Sequence, residues 1–468
     1  MAKEKTSAAK QLQEKLCYKK QNGGMKLSDK EIKECDKFGE KYKTFLDAAK
    51  TEREAVIYAE KLAVEAGYVP YSSDMKLKAG DKIYVNNRGK AIILAIIGFE
   101  PIEKGVHIAA AHIDSPRLDL KQCPLYEDNE MALFKTHYYG GIKKYQWAAI
   151  PLALHGVVVL SDGSKVTVNI GEDEKDPVFC VTDLLPHLAQ EQMKRTLSEG
   201  IKGEELNILV GSRPFKDDEA SERVKLNILD ILNKKYGMTE ADFLSAELEA
   251  VPAFKAKDIG FDRSMIGSYG HDDRVCGYTA LKAILDCKKA HKTAVVILTD
   301  KEETGSDGNT GLRSSYLKYF LMDIAESMGA KGRTVISNSE CLSADVNAAF
   351  DPTFPDVVDR RNAAYLNYGV VVTKFTGSRG KSGTSDASAE FVGRVRKLMD
   401  DNSIIWQTGE LGKVDLGGGG TVAAYIANLN IDVIDVGVPV LCMHAPFEIV
   451  SKIDVFMTYK AFYAFLAE

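Results

Sequence analysis

Glu302 and Glu303 stand side by side at the end of an apolar run, Thr293-Ala-Val-Val-Ile-Leu-Thr-Asp300. Two adjacent carboxylates repel unless a cation or a shared proton lies between them, although an exposed polar turn explains the pair taken alone. Four further places have a similar setting. His112 and Asp114 lie two apart at the end of a run that begins at Val106. A strand puts both on one face, so the carboxylate can orient the imidazole of a metal-bound histidine; a structural histidine fits as well. Asp272 and Asp273 precede a helical stretch from Tyr278 to Cys287. Either suits a helix cap, and a carboxylate there can also span two cations. Asp345 follows a strand-like run from Val335, and His444 ends another from Val436. His, Asp and Glu in this mixture suit zinc and related divalent ions. Five ligands plus a spare glutamate match a hydrolase with two cations about 3.5–4 Å apart, which clamp a water whose proton goes to a neighbouring carboxylate.

The elements that must carry these residues alternate between strand and helix. Residues 28–67 read as helix, with capping-box patterns at Ser28-x-x-Glu31 and Thr51-x-x-Glu54. Strands are expected from Lys82, Ala91 and Val106. The character changes after Pro116: residues 150–170 read as a hairpin turning at Ser161-Asp-Gly-Ser164, and a helix is expected from about Thr182 to Leu197. From about Phe254 the βα alternation resumes. The pattern is one α/β domain, residues 1–114 and 256–468, interrupted by a β-rich insertion at 115–255. The sheet edge where Glu302 falls is where open α/β sheets bind ligands.

The chain has 468 residues and a net charge of −6, which gives no basic footprint for nucleic acid. No run approaches the roughly 18 apolar residues of a membrane span, and the charged start lacks a secretory signal. Eight cysteines without a Cys-x-x-Cys pair fit a reduced, cytoplasmic setting, with Cys180, Cys287 and Cys442 read as small core residues. The first twenty residues read as a flexible arm or a fraying helix.

Ala111-His-Ile-Asp-Ser-Pro116, Asp300-Lys-Glu-Glu-Thr-Gly-Ser306, Ser343-Ala-Asp345 and Met443-His444 together resemble the signature of the M18 metallo-aminopeptidases, as do Tyr139-Gly-Gly141 and Leu185-Pro-His-Leu-Ala189. The resemblance implies a zinc-peptidase (phosphorylase/hydrolase-like) three-layer α/β/α domain, with the insertion serving dimerisation and assembly. It implies one cation on His112 and Asp345, a second on Glu303 and His444, and Asp272 bridging them. The cations would be zinc, exchangeable for cobalt or manganese. Glu302 would be the general base and Asp114 the partner behind His112. His187 would reach a neighbouring subunit's site, and Lys374 (or Lys381) would receive an acidic substrate side chain, with a leucine-like preference as the alternative. A homo-oligomer, a tetrahedral dodecamer, is implied. The sequence departs from the aspartyl aminopeptidases at Ile113, where many have threonine, and at His271-Asp-Asp273, where they usually read Leu-Asp-Asn. An M42-like enzyme sharing the metal logic and a scaffold without activity are the rival readings.

Overall fold

The computed structural model describes residues 7–468. It is a mixed α/β protein with sheets of nine, seven and five strands. Four neighbouring strands of the largest sheet run parallel: Thr293–Thr299, Val106–His112, Glu340–Ala344 and Asp432–Gly437. They therefore end at one edge. They are buried on both faces, which is why they read as unbroken apolar runs. Alternate residues feed two cores. Ala109 and Ala111 pack toward helices Asp29–Ala48, Glu52–Glu65, His271–Asp286 and Lys452–Ala467, whereas Ile108 and Ala110 pack toward Tyr316–Ser327 and Gly332–Ser337. Both capping boxes form, at Ser28 with Glu31 and at Thr51 with Glu54, so the stretch 28–67 is two helices and not one.

All seven strands of the second sheet come from between Arg117 and Pro252, around a core that includes Leu118, Phe134, Trp147 and Leu248. The hairpin pairs Leu152–Val159 with Lys165–Ile170. A charged seam joins this sheet to the start of Glu52–Glu65. Arg117 meets Asp119 at 2.8 Å, Glu52 at 3.3 Å and Glu249 at 3.4 Å. His155 lies between Glu54 at 2.7 Å and Glu172 at 3.1 Å, and Lys50 meets Glu172 at 2.6 Å. Burial alone would lower His155, but the two carboxylates carry it above its usual value.

Several expectations fail locally. Residues 182–197 form turns with one short 3-10 stretch, Gln192–Lys194, and Leu184, Leu185, Leu188 and Leu197 stay exposed; most helical stability comes from packing an apolar face. The run from Val335 is a helix, Gly332–Ser337, before the strand Glu340–Ala344 begins. All eight cysteines are free, but Cys442 is exposed and Cys180 half-buried; only Cys287 of the three is a core residue. Near the start, Ala8–Leu16 is an exposed helix capped by Ser7, while residues 1–6 lie outside the described residues. Among the described residues no helix is long and apolar enough to cross a membrane.

Candidate active site

The parallel strands deliver their following residues to one place. His112 closes Val106–His112, Asp345 follows Glu340–Ala344, and Glu302 and Glu303 sit on a 3-10 turn, Glu302–Thr304, just past Thr293–Thr299. Asp272 and Asp273 occupy the first turn of His271–Asp286 in non-helical conformations, joined by a cis peptide bond. This helix starts at Gly270, whose φ of +74° and contact with Arg274 leave no room: a Cβ would fall 1.5 Å from the guanidinium. The chain then leaves Asp432–Gly437, crosses to the five-stranded sheet at Pro439–Leu441, and turns at His444 with φ +64°.

Asp272 lies at the centre. One of its oxygens is 3.2 Å from His112 Nε2 and the other 3.1 Å from His444 Nε2. Asp345 is 3.8 Å from the first imidazole and Glu303 is 3.7 Å from the second. Glu302 Oε2 stands 3.9 Å from His112 Nε2. Five of the six candidates are buried or nearly so; the His444 side chain, 36% exposed, marks the open side.

The two imidazoles are aimed from behind. His112 Nδ1 lies 3.1 Å from the Asp114 carbonyl, with the Asp114 carboxylate at 3.4 Å, and His444 Nδ1 lies 2.8 Å from the Gly141 carbonyl. A carbonyl can only accept, so each Nδ1 carries the hydrogen and each Nε2 faces the cluster. The Asp114 carboxylate does more than stand behind His112: it accepts the amide N–H groups of Glu302 and Glu303, both at 3.2 Å, and the Tyr139 hydroxyl at 2.8 Å.

Burial and charge crowding together set the electrostatics. Burial pushes Glu302 up to about 8, opposed by His112 and reinforced by Asp345, Asp114 and Asp272. Burial and the Asp272 charge hold Glu303 well above the usual carboxylate range. Burial would lower His444, yet Asp272 and Glu303 raise it to about 10. Such a set of donors fits divalent cations. Among the described residues, Glu303 Oε1 and both Asp273 oxygens are buried with no hydrogen-bond partner, and two groups have ligand atoms within 4.8 Å of one another: His112, Asp273 and Asp345, and Asp272, Glu303 and His444. His and carboxylate donors of this kind suit zinc and related divalent ions.

Sequence reasoning missed two residues here. Asp273 enters the group around His112, where a helix cap was the simpler expectation. Glu448, fully buried, accepts the amide N–H of Asp272 at 3.0 Å and that of His444 at 2.7 Å, tying two cluster residues by their backbones. Its only signal was a carboxylate four positions after His444 at the start of an apolar run. His271 is also structural: it meets Tyr42 at 2.8 Å and the Ile266 carbonyl at 3.1 Å, and burial lowers it to about 3, so it stays neutral.

The structure does not bring His187 or Lys374 into this cluster. His187 lies in an exposed turn of the insertion. Lys374 follows the strand Val370–Thr373, and its ammonium pairs with Asp386, which Lys381 also meets, at 2.8 Å.

A family model described as aminopeptidase I zinc metalloprotease (M18) matches residues 45–466. The chain belongs to the M18 peptidase family. This M18 chain is 52% identical over 453 residues to a probable M18 family aminopeptidase 1 of Clostridium acetobutylicum, covering 95% of the chain and 97% of that relative. The crystal structure of an M18 aminopeptidase from Thermotoga maritima shares its fold with a TM-score of 0.92 at 46% identity, over 96% of this chain and 99% of that one. A yeast protein described as an mApe1 dodecamer shares the fold at 21% identity, with a TM-score of 0.75 over 92% of this chain and 96% of that one. The M18 chain is thus a zinc-dependent aminopeptidase.

Proposed function

We propose that this aminopeptidase removes single amino-terminal residues with two divalent cations, one held by His112 and Asp345, the other by Glu303 and His444, with Asp272 reaching both. The observation that carries the reading is the Asp272 carboxylate, which turns one oxygen to each imidazole at 3.2 and 3.1 Å. When bound, the cations would lower the pKa of a shared water, polarise the scissile carbonyl and anchor the free α-amino group. Glu302 would take the proton of that water as its oxygen adds to the scissile carbonyl carbon, and would return it to the amine nitrogen as the C–N bond breaks. Its backbone is held for this by Asp114, which accepts its amide N–H at 3.2 Å. Asp114 and the Gly141 carbonyl keep Nδ1–H of the two histidines occupied, which leaves each Nε2 lone pair for a cation.

Lys374 and Lys381 both pair with Asp386 outside the cluster, and Lys374 is the residue proposed to receive an acidic substrate side chain. His187 serves the site of a neighbouring subunit. Its turn is flanked by the exposed Leu184, Leu185 and Leu188, an apolar patch that assembly would cover. A homo-oligomer follows, and a tetrahedral dodecamer is the proposed form, in keeping with the yeast protein of the same fold. In this reading the insertion, residues 115–255, is the assembly domain.

The test is Glu302→Gln. Activity is expected to fall about 10²–10⁴-fold, the range of a general base, with the cation content and assembly of the wild type retained. Unchanged activity sinks the Glu302 assignment, and a wild-type protein that binds one cation sinks the two-cation reading. Peptides starting with Asp, Glu or Leu, compared in the same assay, decide the role of Lys374: cleavage fastest at leucine removes it.

A further inference from the structure

The strand Met131–Tyr139 belongs to the inserted sheet, yet it and the two residues after it run into the metal cluster of the other domain. Each of three consecutive residues meets a different part. The Tyr139 hydroxyl donates to Asp114 Oδ2 at 2.8 Å, and Asp114 in turn stands behind His112 and holds the amides of Glu302 and Glu303. Gly140, at φ +75°, packs on Glu303 so closely that a Cβ would fall 2.9 Å from its Oε2. The Gly141 carbonyl accepts from His444 Nδ1 at 2.8 Å. The phenol ring of Tyr139 is itself held: the Arg117 guanidinium lies 3.9 Å from its centroid and is fixed by Glu52, Asp119 and Glu249.

We propose that Tyr139-Gly140-Gly141 is a positioning segment of the metal centre, through which the inserted domain sets the direction of both histidines and the placement of Glu303. The inference rests on the two-cation reading of the same site. Its physical content is that the partners of ligating residues govern affinity: losing one typically costs about 10–100-fold in metal binding. The insertion then has a part in the chemistry of its own subunit, separate from any part in assembly. Tyr139 acts through Asp114 and His112, so it is a positioning residue.

The experiment compares cation binding in the intact wild-type protein, Tyr139→Phe and Gly140→Ala, by competition with a coloured chelator and by the visible absorption of the Co²⁺ form. Phenylalanine keeps the ring over Arg117 and removes only the hydroxyl. The expected result for Y139F is a loss of about 10–100-fold in affinity at one of two sites, with the other site and the melting temperature of the metal-free protein unchanged, and kcat restored at saturating cation. G140A is expected to weaken the opposite site, the one with Glu303 and His444. Should its strained backbone prevent folding, Y139F alone decides. Two wild-type sites with an unchanged pair in Y139F overturn the inference and leave the two-cation reading standing. Equal weakening of both sites, with a lowered metal-free melting temperature, also overturns it, because that is a purely structural defect. A single cation in the wild type overturns the two-cation reading and this inference with it.

Discussion

Replacing Glu448 by glutamine isolates how much the cluster depends on its backbone. The carboxylate is fully buried and accepts two amide N–H groups, from Asp272 at 3.0 Å and from His444 at 2.7 Å. Glutamine has nearly the same shape but only one acceptor oxygen. Its NH₂ group would face one of the two amides donor to donor, so either Asp272 or His444 must shift or leave its N–H unpaired. A hydrogen bond to a charged group is worth about 1.5–3 kcal/mol, which converts to a loss of about 10–100-fold. That loss should appear in cation affinity, since Asp272 and His444 are both proposed ligands. Chelator competition on the folded variant measures it, with circular dichroism to confirm that the fold persists. Wild-type affinity and turnover in E448Q would refute the argument that these two backbones must be held together. A variant that loses affinity but regains full activity at high cation concentration would place the whole effect in binding.

The charged seam between the seven-stranded sheet and the helix Glu52–Glu65 should be pH-sensitive. His155 is raised, so its contribution is complete below about 6.5, the usual histidine value, and is lost as pH rises through the higher folded value. Glu172 is lowered to about 2 by His155, Lys50 and Lys255 against its burial, so its contribution holds above the usual glutamate value and fades as pH falls toward 2. His155→Gln should therefore destabilise most at pH 5–6, by about 3 kcal/mol as for a broken buried pair, with the gap to wild type closing in alkali. Thermal melts across pH 5–9 check this; a gap independent of pH refutes it. For His187, an H187A protein and an E302Q protein, each impaired alone, should recover activity when their subunits are mixed and exchanged. No recovery after proven exchange removes action across subunits.

Much of this centre could be read in the chain because its residues follow buried strands. Runs such as Val106–His112 and Thr293–Thr299 are apolar on both faces, so they announce themselves, and what comes next must lie at the sheet edge. His112, Glu302 and Glu303 were placed at that edge in this way, and the structure brings them together; Asp345 joins them although the strand before it begins at Glu340 and not at Val335. Glu448 gave no sign, and Tyr139 stood out only within the Tyr139-Gly-Gly141 motif without its role, since both roles come from contacts made far along the chain: Tyr139 meets Asp114 from another sheet. Helical spacing misled at Leu184–Leu188, where the leucines are spaced for a helix but face outward. Periodicity reports what a segment could bury, and among the described residues these leucines stay exposed.

The order of strands in the large sheet also bears on how the protein is made. Val106–His112 is synthesised early, but its neighbours on both sides come after the insertion; His107 lies beside Glu340, 233 residues later. The inserted sheet closes entirely on its own stretch of chain. Because short-range contacts form sooner than long-range ones, the insertion is placed to fold on the ribosome while Val106–His112 still lacks both partners. The two halves of the enzyme's larger domain would then assemble around a finished inner module. His444 follows the other proposed ligands, His112, Asp272, Glu303 and Asp345, along the chain. The proposed cation site therefore lacks one of its ligands until every strand of the large sheet has been made.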